Sequence, residues 1–367
     1  MVVPSASVSL RCPMGSGRGQ RTSSRLWPAL LASLTLIAAY MNLLGCRGAD
    51  EYHFAVPSGL ISPDVAPTED GRVYFLRNAF GELGSPAELW RTEVNKKAES
   101  MGAVDASALP CRSPFLYHLR KLPDGRLGAT ASCPGTPSSA TYVTLTTAPG
   151  GVAAAPLAPL PDDDDVVWSD DGQSGWVTRN SAGCAGIAAM SRVGVQPFGS
   201  YTPSSLLPWN IDGDFFGPAK DDCTGRGRAA FPALTSDGEA LLFLASPASA
   251  GVSPGGMGTG RDQKTWNLYR LALKSRSLAT LATGLSQPTG MTAGDDGLIL
   301  VCGMKDGRRG VWRIDTGSRK LELVKAGNFG PPILSPGHRS IIIVRYSSDD
   351  DPETGDTALV RFPIREN

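Results

Sequence analysis

Residues 231–283 read FPALTSDGEALLFLAS, then a Gly/Ser-rich segment, then WNLYRLALKSRSLATLAT. Ser236-Asp237-Gly238 supplies a tight turn, because Gly reaches positive φ without a Cβ penalty and Asp bonds locally to the backbone. A strand therefore ends before it and another begins after it. Residues 240–245 form a short, continuously apolar run, which fits a strand buried on both faces. Beyond the Gly/Ser-rich segment, Trp266, Leu268, Arg270 and Ala272 alternate with Asn267, Tyr269, Leu271 and Leu273, the period of two of a third strand. Residues 274–277 turn the chain, and 278–283 return as an outer fourth strand. Such a four-stranded meander buries both faces only when copies stack beside it.

Copies recur along the chain. Turns end at Gly71, Gly125, Gly172, Gly238, Gly297 and Gly337, each followed by an apolar run. Tyr269-Arg270-Leu271 and Trp312-Arg313-Ile314 are offset by 43 residues, and Leu278 and Leu321 keep the same offset. A shared offset across two strands is stronger repeat evidence than turns alone. The expected fold is all-β: a six-bladed β-propeller of four-stranded antiparallel sheets across residues 51–367, with an insertion at about 199–228. A seventh blade would have to lie between Gly199 and Arg228, where a second apolar run is missing. The last unit holds only three strands before the chain ends, so residues 52–56 are expected to supply its fourth and close the ring.

The units resemble the WD-repeat-like motif of TolB-type propellers, whose blades open Ser-Pro-Asp-Gly and later show an aromatic-basic-aliphatic strand. The matching residues are Thr235-Ser236-Asp237-Gly238, Tyr269-Arg270-Leu271, Trp312-Arg313-Ile314 and the degraded Leu334-Ser335-Pro336-Gly337. The resemblance covers about residues 51–366. It implies a structural role for the Asp-Gly turns, and the family spans periplasmic scaffolds, propeller domains joined to serine peptidases, and a few lyases. Those lyases use several histidines with a metal. The pattern Gly-x-Ser-x-Gly occurs in this chain as Gly251-Val252-Ser253-Pro254-Gly255, but inside the Gly/Ser-rich segment and not on the strand-to-helix turn that a nucleophile elbow needs. The three histidines, His53, His118 and His338, are scattered.

The first 45 residues carry four basic residues and no acidic one, with an apolar run over 26–44. This is the shape of an export signal. It ends in Leu43-Leu44-Gly45-Cys46, which resembles the bacterial lipobox, although Leu44 departs from the small residue usual there. The expectation is a lipoprotein-type signal over 1–45, acylation of Cys46, and a short tether over 46–50; an uncleaved anchor or an ordinary signal peptide is the alternative. Met14 is an alternative start. Removal of 1–45 leaves 31 basic against 35 acidic side chains, so no basic excess speaks for nucleic acid.

Five further cysteines remain. Cys111 and Cys133 flank the first two strands of the second unit, and Cys184 and Cys223 could fasten the insertion to the third; an oxidising compartment makes both pairings plausible. Cys302 lies in an apolar strand and reads as a buried small hydrophobe. Asn210, Asp212, Asp214 and Asp221 have spacings like a calcium loop, yet Phe215 stands where an EF-hand needs Gly and the last ligand is Asp, not Glu. Trp209, Phe215 and Phe216 offer a binding surface, or else fold back over a blade. The acidic runs 162–165 and 349–351 read as solvated loops. The residues thus describe a monomeric, non-enzymatic, lipid-anchored propeller without cofactor, exported to the cell membrane or outer membrane of a bacterium. It would bind an envelope protein or glycan. The alternatives are a glycan lyase or hydrolase with paired carboxylates at the channel, and a sensor that signals through a partner.

Overall fold

The computed structural model describes residues 51–364 except 58–60, 78–85, 112, 134–139, 149, 161–165, 170–173, 180–185, 193–200, 207–227, 247–264, 276 and 348–356. The export segment, Cys46 and the tether therefore lie outside the described residues, as do Cys184, Cys223, the aromatic trio Trp209, Phe215 and Phe216, and the calcium-like set Asn210, Asp212, Asp214 and Asp221.

The chain enters through β1 (Tyr52–His53). Four strands then make the first blade: β2 (Ile61–Pro67), β3 (Arg72–Arg77), β4 (Glu88–Glu93) and β5 (Glu99–Asp105). The second comprises β6 (Phe115–Lys121), β7 (Leu127–Ser132), β8 (Ala140–Ala148) and β9 (Gly151–Leu160). The third comprises β10 (Val166–Trp168), β11 (Ser174–Arg179), β12 (Gly186–Arg192) and β13 (Tyr201–Leu206). Next come β14 (Arg228–Leu234), β15 (Ala240–Ser246), β16 (Trp266–Ala272) and the long β17 (Leu278–Ala293), followed by β18 (Ile299–Lys305), β19 (Arg308–Ile314) and β20 (Leu321–Ala326). The final strands are β21 (Ile333–Leu334), β22 (Ser340–Tyr346) and β23 (Thr357–Pro363).

Within each blade the pairing is an antiparallel meander, and β1 pairs with β23 through Tyr52↔Arg361 and His53↔Val360 to complete the last. The described residues thus form six four-stranded blades. Six apolar clusters lie one between each pair of neighbours. The one that closes the ring joins Val65, Val73 and Phe75 of the first blade to Ile342, Val344 and Leu359 of the last.

Three features depart from the sequence reading. The outer strand of the third blade, β13, falls at the start of the stretch taken as an insertion, because its Tyr-Thr-Pro-Ser-Ser-Leu composition hides a period of two. The strand β17 serves two blades: Leu278–Leu285 pair with β16, and after a shift between Ser286 and Gly290 the rest pairs with β18. The Ala/Pro-rich β9 pairs in parallel with β5 through Val104↔Val152 and Asp105↔Ala153, sewing the outer edges of the first two blades together.

The turns after the inner strands share one chemistry. Gly71, Gly125, Gly238, Gly297 and Gly337 all have φ between 67° and 84°. In the fourth blade the Thr235 hydroxyl donates to Asp237 Oδ1, which also accepts the Glu239 N–H at 2.9 Å. In the first, Thr68 and Asp70 repeat the bond at 2.6 Å. These bonds hold both carboxyls below the ordinary range, the threonine hydroxyl being the largest cause in each.

Cys111 and Cys133 are joined, with 5.7 Å between their Cα atoms. Opening this loop, by Cys111→Ser with Cys133→Ser, is expected to cost about 3 kcal/mol and roughly 5 °C in Tm, from loop-closure entropy and the specific unfolding entropy of a chain this long. Calorimetry under oxidising conditions checks it. Glu51, just ahead of β1, accepts from Lys325 Nζ at 2.7 Å and Arg345 Nη1 at 2.6 Å, with His53 Nε2 at 3.2 Å. Burial raises the Glu51 pKa, but the Lys325 bond and the charges of Lys325, Arg345 and His53 outweigh it, so the net value lies below 4.5. With the folded value below the unfolded one, the clamp's stabilisation is complete above about pH 4.5 and is lost as pH falls through the folded value. The Glu51→Gln chain is therefore expected to melt about 2 °C lower at neutral pH, a loss near 1 kcal/mol, and to converge on the parent in acid. Melting curves from pH 7 to 3 read this directly.

Candidate functional site

The inner strands of neighbouring blades pack around the ring's centre: β2 with β6, β10 with β14, β14 with β17, β17 with β21 and β21 with β2. Near its start, the inner strand bulges in the first, second, fourth and fifth blades. The irregularities fall between Ile61 and Val65, Tyr117 and Arg120, Ala230 and Ala233, and Ser286 and Gly290. His118, Phe231 and Gln287 sit in these bulges with φ of 54°, 55° and 46°, a conformation non-glycine residues avoid at a cost of about 1–3 kcal/mol. A proline often accompanies the bulge, as in Ser62-Pro63, Phe231-Pro232 and Gln287-Pro288, since a residue without N–H suits a broken ladder.

The bulged ends lie on the ring face opposite the Asp-Gly turns. Here we call it the loop face. A polar belt crosses it over four blades. Arg309 of β19 donates through Nη1 to Asn328 Oδ1 at 3.0 Å and through Nη2 to Gln287 Oε1. The Asn328 carbonyl accepts the Tyr346 N–H at 3.0 Å, and Gly330 N–H donates to Val344 at 2.9 Å. A Cβ on Gly330 would lie 3.3 Å from the Tyr346 hydroxyl and 3.2 Å from the Pro63 carbonyl oxygen, so the glycine lets the last and first blades meet. Burial, with the nearby Asp64 carboxylate, pushes the Tyr346 phenol well above its ordinary value and keeps it protonated. Asp64, buried, accepts the backbone N–H of His118 at 2.8 Å. Thr289 donates to the Phe329 carbonyl at 2.8 Å and ties the fifth blade to the connection into the sixth.

The belt therefore gathers a guanidinium, two carboxamides, a phenol and one carboxylate, all held by strands except Asn328, which lies in the connection from β20 to β21; Asn328 and Asp64 are buried. That mixture suits recognition of a ligand with both donors and acceptors. Of the three histidines, His118 joins the belt through its backbone. His53 lies at the Glu51 clamp and His338 in the turn of the last blade, where Nδ1 accepts the Asp295 N–H at 3.1 Å. Among the described residues no three His, Cys, Asp or Glu side chains cluster closely enough to hold a metal ion. Cys302 is buried and its thiol is pushed well up by desolvation. On the turn face a cleft of about 470 Å³ opens between the first two blades, lined by Thr68, Glu69, Tyr74, Lys121 and Arg126, with Lys121 paired to Glu69 at 3.0 Å.

Sequence reasoning did not reach Asp64, Gln287, Arg309, Asn328 or Tyr346. The proline ahead of several Asp-Gly turns was the available signal. It marks where the inner strand breaks, but not which side chains gather there. Asn328→Ala would leave the half-buried Arg309 short of an acceptor and is expected to cost about 2 kcal/mol in denaturant unfolding. Asn328→Asp, which keeps an acceptor for the guanidinium, should recover most of it.

No protein-family model and no curated protein matches the sequence. Among solved structures, the chain is similar to TolB from Acinetobacter baumannii, at 15% identity over 81% of this chain and 64% of that one, with a TM-score of 0.48. It is similar to an oligogalacturonate lyase in complex with manganese, at 12% identity over 84% and 98% of the two chains and a TM-score of 0.46. A gluconolactonase from Xanthomonas campestris gives 12% identity, 86% and 87% coverage and a TM-score of 0.46. The chain spans less than two thirds of that TolB protein's length. Two of the three are named as enzymes, and none of the likenesses assigns an activity here; the strand pairing of the described residues makes the chain a β-propeller.

Proposed function

We propose that this chain is a lipid-anchored, extracytoplasmic β-propeller that binds an envelope protein or glycan on its loop face and carries out no chemistry of its own. The observation that supports it most is the composition of the polar belt. Arg309, Asn328, Gln287, Tyr346 and Asp64 are tied to one another or to backbone, an arrangement that fixes donors and acceptors for recognition. The single carboxylate of the belt, Asp64, already accepts a backbone N–H, whereas glycoside hydrolysis calls for two carboxyl groups roughly 5–9.5 Å apart. Export and acylation at Cys46 are supported by the basic, acid-free leader and its Leu-Leu-Gly-Cys ending.

Cross-linking and mass spectrometry on the native membrane, beside a Cys46→Ala control, test the reading. A partner captured through the loop face by the anchored protein, and weakened by Arg309→Ala, is the expected result. Turnover of an envelope glycan by the purified protein would overturn it and install the lyase or hydrolase alternative.

A further inference from the structure

We propose that the rim of the last blade around Tyr52 is a lipid-facing surface, seated on the phospholipid headgroups of the membrane that holds the chain. The proposal rests on the acylation of Cys46 argued above. Tyr52 is 54% exposed and is, among the described residues, the one exposed large hydrophobic side chain. An amphipathic ring of this kind partitions to the headgroup level of a bilayer. Arg361 stands opposite Tyr52 in the ladder, and the carbonyl of exposed Arg339 accepts the Ile364 N–H at 3.0 Å just past the end of β23. Arg361, half-buried with its Nε donating to Ser340 Oγ at 2.7 Å, stands beside the tyrosine, and exposed Arg339 adjoins the end of β23; guanidinium groups pair with phosphate through two parallel bonds.

Chain length restricts what can reach the lipid. Glu51 follows Cys46 by five residues. Fully extended, that tether spans about 18 Å. A compact domain of this size has a radius of gyration near 20 Å and is about 50 Å across. Only the surface close to Glu51 can touch the bilayer. The clamp then removes the freedom to swing, because Glu51 is gripped by Lys325 of one blade and Arg345 of the next, at 2.7 and 2.6 Å. Tyr52 faces the turn-side end of β23, whose last residue pairs with Ser340 beside the final turn.

The test uses the full acylated protein in nanodiscs of phosphatidylethanolamine and phosphatidylglycerol, the latter bearing a headgroup photo-cross-linker, with sites mapped by mass spectrometry. Cross-links are expected on the peptides holding Tyr52, Arg339 and Arg361. They should be lost in Tyr52→Ser with Arg339→Gln, two exposed changes that leave the melting temperature in place. Glu51→Ala, which frees the tether to swing, should spread them onto the neighbouring rim within the tether's reach while the protein stays folded. An intact mass showing Cys46 unmodified overturns the anchoring reading and this one with it. An acylated Cys46 with cross-links scattered evenly, or gathered on the loop face, overturns the seating alone.

Discussion

A sheet with two apolar faces must be covered on both, and in this chain every blade is covered by its neighbours. Phe243 and Tyr269 of the fourth blade bury themselves against Ile187 of the third. Leu244 and Leu268, on the other side of the same sheet, meet Met291, Ile299 and Val301 of the fifth. The dependence runs around the ring, so no blade has a stable place until the last meets the first. Two residues of β1 on β23 close the ladder, and the Phe54 N–H adds a further bond to the Leu359 carbonyl at 3.0 Å. The apolar cluster beneath carries most of the closing energy, at about 25 cal/mol per Å² of buried apolar surface.

The two ends of the ring follow from two ways of interrupting an inner strand. On one face the strand ends in a satisfied turn, where Thr68 with Asp70 and Thr235 with Asp237 serve the backbone and leave little over for a ligand. On the other it bulges, and the broken ladder frees backbone groups that side chains from neighbouring blades then serve. Asp64 reaches the His118 N–H across one blade boundary, and Thr289 reaches the Phe329 carbonyl across another. Polar groups on the loop face are thus part of the ring's joinery and its most differentiated surface at once. A propeller can vary such residues between blades because each has a different neighbour.

The blade and its Asp-Gly turn were legible because each is local. A turn glycine declares itself within four residues, an apolar strand within seven, and the 43-residue offset requires only a comparison along the chain. The disulfide between Cys111 and Cys133 was accessible for the same reason, since both lie on one hairpin. Strands with little apolar contrast were not legible. Gly151–Leu160 and Tyr201–Leu206 hold mostly Ala, Pro, Ser and Thr, and take their conformation from the strands they pair with.

What the sequence by itself determined is therefore the repeating unit and the need for a ring, and the basic, acid-free leader supports the export proposed above. The belt was decided only by tertiary structure. Gln287, Arg309, Asn328, Tyr346, Asp64 and His118 are drawn from four blades and span far more chain than any motif, and nothing in their spacing sets them apart from other polar residues. They meet because closing the ring brings strand starts from opposite ends of the chain to one face. Glu51 shows the same limit at the edge of the fold. Its neighbours in sequence give no hint that Lys325 and Arg345 will hold it, because that grip exists only after the last blade has formed.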